Sequence, residues 1–220
     1  MTVRIKICGI TTADDAEAVG ELGADFIGLN FYSRSPRYIS QSRVADVLRA
    51  IPTSVEPVAL FVNEPLGHVE RSVRAIGIRT AQVHGDHMEI PPPAIRVIAA
   101  FPVRDKDSLN HITAYLALLD SAHAALPAAI LVDAHLSGMH GGTGQTAPWH
   151  LLAEFKPGVP LILAGGLTPE NVAEAIRIVR PWGVDVASGV ENREGRKEEH
   201  KIREFVQAAK YAISRERKED

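Results

Sequence analysis

Apolar residues in this chain come in short runs separated by amphipathic stretches, and the two textures alternate from one end to the other. The runs cover residues 3–7, 26–31, 58–62, 81–83, 97–101, 128–132, 161–164 and 184–187, eight in all, and are rich in Val, Ile, Leu and Ala. Near-continuous apolar runs of this length read as strands buried on both faces, which means a parallel sheet. Between them, residues 12–22 place Ala16, Val19 and Leu22 on one helical face, and residues 41–51 do the same with Val44, Val47, Leu48 and Ile51. Residues 66–76, 108–118, 148–155, 169–179 and 198–213 follow the same period. After the fourth run, Pro91-Pro92-Pro93 interrupts residues 87–94, so a helix there must be very short or absent. Thr12 before Ala13-Asp14-Asp15 reads as an N-cap with acids in the first turn. Thr168-Pro169 reads as a cap followed by proline at the first helical position.

Strand and helix alternation implies right-handed βαβ crossovers. Eight such units with no linker or second set of elements predict an α/β fold, a single-domain (β/α)₈ TIM barrel spanning residues 1–220. The tail at residues 214–220 reads as a solvated helix end.

Composition narrows the function. The net charge of −3 and the 45% hydrophobic content suit a packed globular domain, and predict neither a nucleic-acid nor a membrane surface. An anionic ligand would therefore need a local site. The one cysteine, Cys8, excludes an intrachain disulfide and suits a reducing cytosol. The opening MTVRIKICGITTADD is too short and polar for a signal peptide, and no apolar run approaches the ~20 residues of a membrane span. A cytoplasmic protein is expected. The pattern leaves oligomeric state open.

In a (β/α)₈ barrel, chemistry sits at the C-terminal ends of the strands. The polar residues there are Cys8, Asn30, Arg37, Asn63, His84, Asp86, Arg104 and Asp133. Gly165 and Gly166 follow the seventh run, and Ser188 and Gly189 the eighth. Glycine in those loops lets backbone N–H groups approach an anion, and a helix N-terminus adds its dipole, so a phosphate cradle is expected. The alternative is a pair of plain tight turns. Residues 133–145 form a long glycine-rich segment suited to a lid or to an ordinary surface loop.

Asp133 closes an apolar strand, where partial desolvation would raise its pKa and suit a general acid; a capping or ion-paired Asp is the other reading. Cys8 is either a small buried hydrophobe or a thiol tuned by the helix that starts near Thr12. Arg34 and Arg37 offer forks for a carboxylate, or serve solubility. The nine histidines show no zinc spacing, and no GxGxxG or Walker A motif occurs, so neither a metal nor a cofactor is expected.

Several segments, taken in order, resemble the phosphoribosylanthranilate isomerase family. They are Lys6-Ile7-Cys8-Gly9-Ile10, Ser35-Pro36-Arg37-Tyr38, Phe61-Val62-Asn63, Gln82-Val83-His84-Gly85 and Val132-Asp133. Gly141-Gly142-Thr143-Gly144, Leu163-Ala164-Gly165-Gly166-Leu167 and Val186-Ala187-Ser188-Gly189-Val190-Glu191 continue the series. The resemblance covers residues 3 to 206 or so. It implies a (β/α)₈ barrel of tryptophan biosynthesis that performs an Amadori rearrangement on a small phosphorylated substrate. Cys8 would be the general base, Asp133 the general acid and Arg37 the partner of the substrate carboxylate. Gly142, Gly144, Gly165, Gly166, Ser188 and Gly189 would hold the phosphate, with Asp185 and His84 in supporting positions.

The chain departs from the family pattern at Ala134, at Ala147-Pro148-Trp149 and at Gly195-Arg196-Lys197-Glu198, which touches the sixth loop and its docking. The related aminoaldose isomerase of histidine biosynthesis uses Asp where this chain has Cys8. A non-catalytic phosphate-binding barrel would have no need of Cys8 together with Asp133.

Overall fold

The computed structural model describes residues 3–85, 89–133 and 149–219, with no side-chain description for residue 41 or for 213–219. Its strands are β1 (Arg4–Cys8), β2 (Phe26–Asn30), β3 (Glu56–Val62), β4 (Thr80–His84), β5 (Arg96–Pro102), β6 (Ala129–Asp133), β7 (Leu161–Ala164) and β8 (Gly183–Val186). They pair in parallel and in sequence order, and β8 returns to β1, giving a closed eight-stranded barrel. The helices are α1 (Ala13–Glu21), α2 (Gln41–Ala50), α3 (Leu66–Ala75), α4 (Lys106–Ser121), α5 (Trp149–Ala153), α6 (Val172–Val179) and α7 (Glu199–Glu219). The described residues between β4 and β5 hold no helix, as the proline triplet requires.

Side chains alternate across each strand, and the burial clusters separate the two faces. Phe26, Val58, Ile98, Ala100, Ala129, Leu131, Ile162 and Ala164 pack inside the barrel. A larger cluster, including Ile5, Ile7, Ile27, Leu29, Val83, Ile130, Val132 and Leu163, lies between the strands and the helices. Both faces are covered, which is why the runs read as continuously apolar.

Helix boundaries follow local chemistry. The Thr12 hydroxyl accepts from Asp15 N at 3.2 Å and starts α1 as expected. Asp105 caps α4, accepting from Ser108 N at 2.8 Å, so that helix begins earlier than its apolar period suggests. Thr168 does not cap α6. The Asn171 carboxamide accepts from Thr168 N at 2.8 Å and donates to Gly166 O at 2.9 Å, bracing the loop, and the helix begins at Val172. After β8, a 3₁₀ turn at Ser188–Val190 leads to a small antiparallel hairpin, β9 (Glu191–Arg193) and β10 (Arg196–Lys197).

Candidate active site

The site grows out of the inward positions at the C-terminal end of the barrel. Cys8 pairs in register with Gly28, and Asp133 with Ala164, which lies in the interior cluster. Cys8 on β1 and Asp133 on β6 therefore face the same barrel mouth from different sides of the ring. Cys8 is buried, and Asp133 is half-buried.

Below Cys8 lies a charge that the apolar pattern concealed. Lys6 is 1% exposed inside the barrel, and its Nζ donates to Asp185 Oδ1 at 2.9 Å. The two residues are register partners across the β1–β8 seam. Asp185 thus sits one layer down and directly meets a cation. Gly28 makes room for this layer. A Cβ at that position would stand 2.7 Å from Cys8 Sγ and 3.0 Å from Lys6 Nζ, so a larger residue would displace the thiol and the ammonium.

Burial pushes the Cys8 thiol pKa up; the Lys6 ammonium opposes the rise, Asp185 adds to it and Lys197 opposes it, and the net direction is upward. Burial alone would lower Lys6, but Asp185 and Cys8 beside it outweigh that and hold the ammonium above its ordinary 10.5.

Arg37 reaches the mouth through a braced loop. Asn30 Nδ2 donates to Ser35 Oγ at 3.1 Å, and the same hydroxyl oxygen accepts from Arg37 N at 3.1 Å. The Arg37 side chain then crosses Gly9, where a Cβ would lie 2.6 Å from Arg37 Cδ; with φ at +80°, only glycine suits that position. The guanidinium is already engaged. Its Nε and Nη2 donate to Glu191 Oε1 and Oε2 at 2.8 and 2.7 Å. Lys197 Nζ also donates to Glu191 Oε1 at 2.9 Å and to Ala187 O at 2.8 Å. The hairpin is held over the mouth at its turn, where the Thr11 hydroxyl donates to Gly195 O at 3.5 Å. Neither Lys6 nor the Glu191–Lys197 pair was singled out from the pattern. The available signal is a lysine flanked by Ile5 and Ile7 within the first apolar run.

The other expected residues fall as follows. Gly165 and Gly166 follow β7 with φ of 89° and 65°. Ser188 and Gly189 lie in the turn after β8, and a Cβ on Gly189 would stand 1.9 Å from the Leu167 carbonyl oxygen. The loops after β7 and β8 therefore touch backbone to backbone. His84 closes β4, with its Nε2 2.7 Å from Gln82 Nε2. Gly142 and Gly144 lie outside the described residues, as do Ala134 and the Ala147-Pro148 departure. Among the described residues no three His, Cys, Asp or Glu side chains converge on a possible metal position, and no helix is long and apolar enough to cross a membrane.

A family described as N-(5'phosphoribosyl)anthranilate (PRA) isomerase matches residues 5–208. The chain belongs to the phosphoribosylanthranilate isomerase family. Similar members include the N-(5'-phosphoribosyl)anthranilate isomerase of Geobacter sulfurreducens, 41% identical over 214 residues, covering 94% of this chain and 98% of the relative. That of Geotalea daltonii is 42% identical over 212 residues, covering 96% and 98%. The crystal structure of phosphoribosyl anthranilate isomerase from Thermotoga maritima superposes with a TM-score of 0.81 at 34% identity, covering 96% of this chain and all of that one. A family structure in complex with reduced 1-(o-carboxyphenylamino)-1-deoxyribulose 5-phosphate gives 0.79 at 33% identity, with 96% of this chain covered. Barrels host many chemistries, so the assignment rests on the family match and the mouth residues together rather than on the fold.

Proposed function

We infer that this chain converts N-(5-phosphoribosyl)anthranilate into 1-(2-carboxyphenylamino)-1-deoxyribulose 5-phosphate, the Amadori step of tryptophan biosynthesis. The observation that carries the reading is a thiol and a carboxyl group, Cys8 and Asp133, both turned inward at the catalytic end of a barrel whose family match spans residues 5–208.

Asp133 protonates the furanose ring oxygen, and the ring opens to a Schiff base at C1′. Cys8, as thiolate, removes the C2′ proton. The electron pair left behind forms the C1′–C2′ double bond of an enolamine, which tautomerises to the ketone. Phosphate in the glycine loops and anthranilate near Arg37 fix the sugar between base and acid, supplying binding energy remote from the reacting carbons. With Nε and Nη2 on Glu191, Arg37 meets the anthranilate carboxylate through Nη1. A thiol base also needs a reducing compartment, which supports a cytoplasmic enzyme.

The test follows loss of anthranilate fluorescence after substrate is generated from anthranilate and phosphoribosyl pyrophosphate. Cys8→Ser and Asp133→Asn should each lower kcat by at least ~10²-fold, the low end for a positioned acid or base. Near-normal turnover in either variant removes that residue from its role. No turnover in the unaltered chain, with phosphate-ester binding retained, would make it a binding barrel. Arg37→Ala should mainly raise KM.

A further inference from the structure

Cys8 has the task of a base at neutral pH, yet it is buried where a thiolate is disfavoured. Charged groups surround it on four elements and a loop. Lys6 lies on its own strand, Asp185 on β8, Lys197 on β10 and Arg37 after β2, with Glu191 on β9 behind the last two. The three cations differ in how far they are committed elsewhere. Arg37 gives two donors to Glu191, and Lys197 gives its ammonium hydrogens to Glu191 and to Ala187 O. Lys6 donates to Asp185 Oδ1 and also lies in hydrogen-bonding contact with Cys8, its Nζ and the Cys8 Sγ both crowding the space above Gly28, 3.0 and 2.7 Å from the same point. An ammonium is a compact point charge with three rotatable donors, able to serve two anions at once.

We propose that Lys6 is a positioning residue for the isomerisation: its ammonium is shared between Asp185 and the Cys8 thiolate, and this division sets how readily Cys8 acts as base. Lys6 touches no substrate. It acts through Cys8, and Asp185 competes with the thiolate for the same cation. Removing the competitor strengthens the hold on the thiolate, while removing the cation weakens it. The two changes therefore move Cys8 in opposite directions, which a purely structural ion pair would not do. The proposal rests on Cys8 being the base, but its test does not require turnover.

Cys8 is the only cysteine, so iodoacetamide reports on it alone. The rate is measured against pH for the unaltered chain and for Lys6→Arg, Asp185→Asn and the double variant Lys6→Met with Asp185→Asn, each checked for cooperative thermal unfolding. The double variant removes both buried charges together and so leaves no unpaired ion to unfold the barrel. Its alkylation near pH 7 should slow at least ~10-fold, with the midpoint moved up, as expected when an adjacent cation is lost. Asp185→Asn should speed alkylation and move the midpoint down, and Lys6→Arg should stay close to the unaltered chain. In each variant that turns over, the acid limb of kcat/KM should follow the alkylation midpoint. If Asp185→Asn and the double variant move the midpoint the same way, or neither moves it, the proposal is overturned. Alkylation that behaves as expected in a chain that does not isomerise would sink the isomerase reading and leave the Lys6 assignment standing.

Discussion

At the scale of single residues, Glu191 joins three elements. Its carboxylate is buried, yet it accepts from Arg37 on the loop after β2 and from Lys197 on β10. Burial would raise its pKa; the hydrogen bonds and charges of Arg37 and Lys197 outweigh that and hold it below the ordinary 4.5. The sign of the pH effect follows. A depressed carboxylate stabilises the fold fully above the unfolded value of 4.5, and that contribution is lost as pH falls through the lower, folded value. Glu191→Gln keeps the shape and removes the charge. It should cost about 2 kcal/mol near pH 7, the order of a hydrogen bond to a charged group. As pH falls from 4.5 through the lower, folded value the stability curves of the two proteins should converge, because protonated Glu resembles Gln. Urea unfolding across this range decides it: parallel curves would mean that the carboxylate's charge contributes nothing.

At the scale of elements, the loops after β7 and β8 act as one unit. Asn171 braces Gly166 and Thr168, and Gly189 lies against the Leu167 carbonyl with no space for a methyl group. Gly189→Ala must therefore push two backbones apart. If these loops cradle the substrate phosphate, KM should rise at least ~10-fold with a smaller change in kcat, alongside an overpacking cost of about 1–3 kcal/mol. An unchanged KM in the folded variant would take the phosphate away from this pair of loops. The same elements show what the amino-acid pattern discloses. The strands, the Thr12 cap and the missing helix after β4 were legible because each depends on neighbours a few residues away. So were the strand ends that carry Cys8 and Asp133. The start of α6 was not, because Asn171 spends its side chain on the loop rather than leaving Thr168 to cap. Lys6 was hidden because its partner is 179 residues away, and Gly28 because its lack of a side chain matters only once Cys8 and Lys6 face it.

At the scale of the whole molecule, the barrel closes at one seam, where β1 meets β8. The elements joined there come from opposite ends of the chain, so loop closure does not favour them and side-chain packing must hold them. Two devices do so. Inside, Lys6 and Asp185 pair across the seam. Outside, α7 packs on α6 and α1, burying Ile202, Phe205, Val206, Ala209 and Ala212. Phe205 is fully buried there, and Leu119 on α4 is 1% exposed on a part of the ring away from the seam. Phe205→Ala should cost about 3–5 kcal/mol and Leu119→Ala about 2–5 kcal/mol, so the two can be compared at matched stability by adding urea. Loss of Phe205 should lower the free energy of a local opening of the seam more than that of the rest of the barrel. Under native conditions, amide hydrogen exchange at Ile7 and Val186 should then accelerate more in Phe205→Ala than in Leu119→Ala, while exchange at Val83 and Ala99 does not distinguish them. Because the same opening would separate Lys6 from Asp185, the variant with the faster-exchanging seam should also lose isomerase activity at lower urea. Equal exchange at the seam in both variants would mean that the barrel opens as a whole, with α7 holding β1 and β8 no more tightly than any other pair of strands.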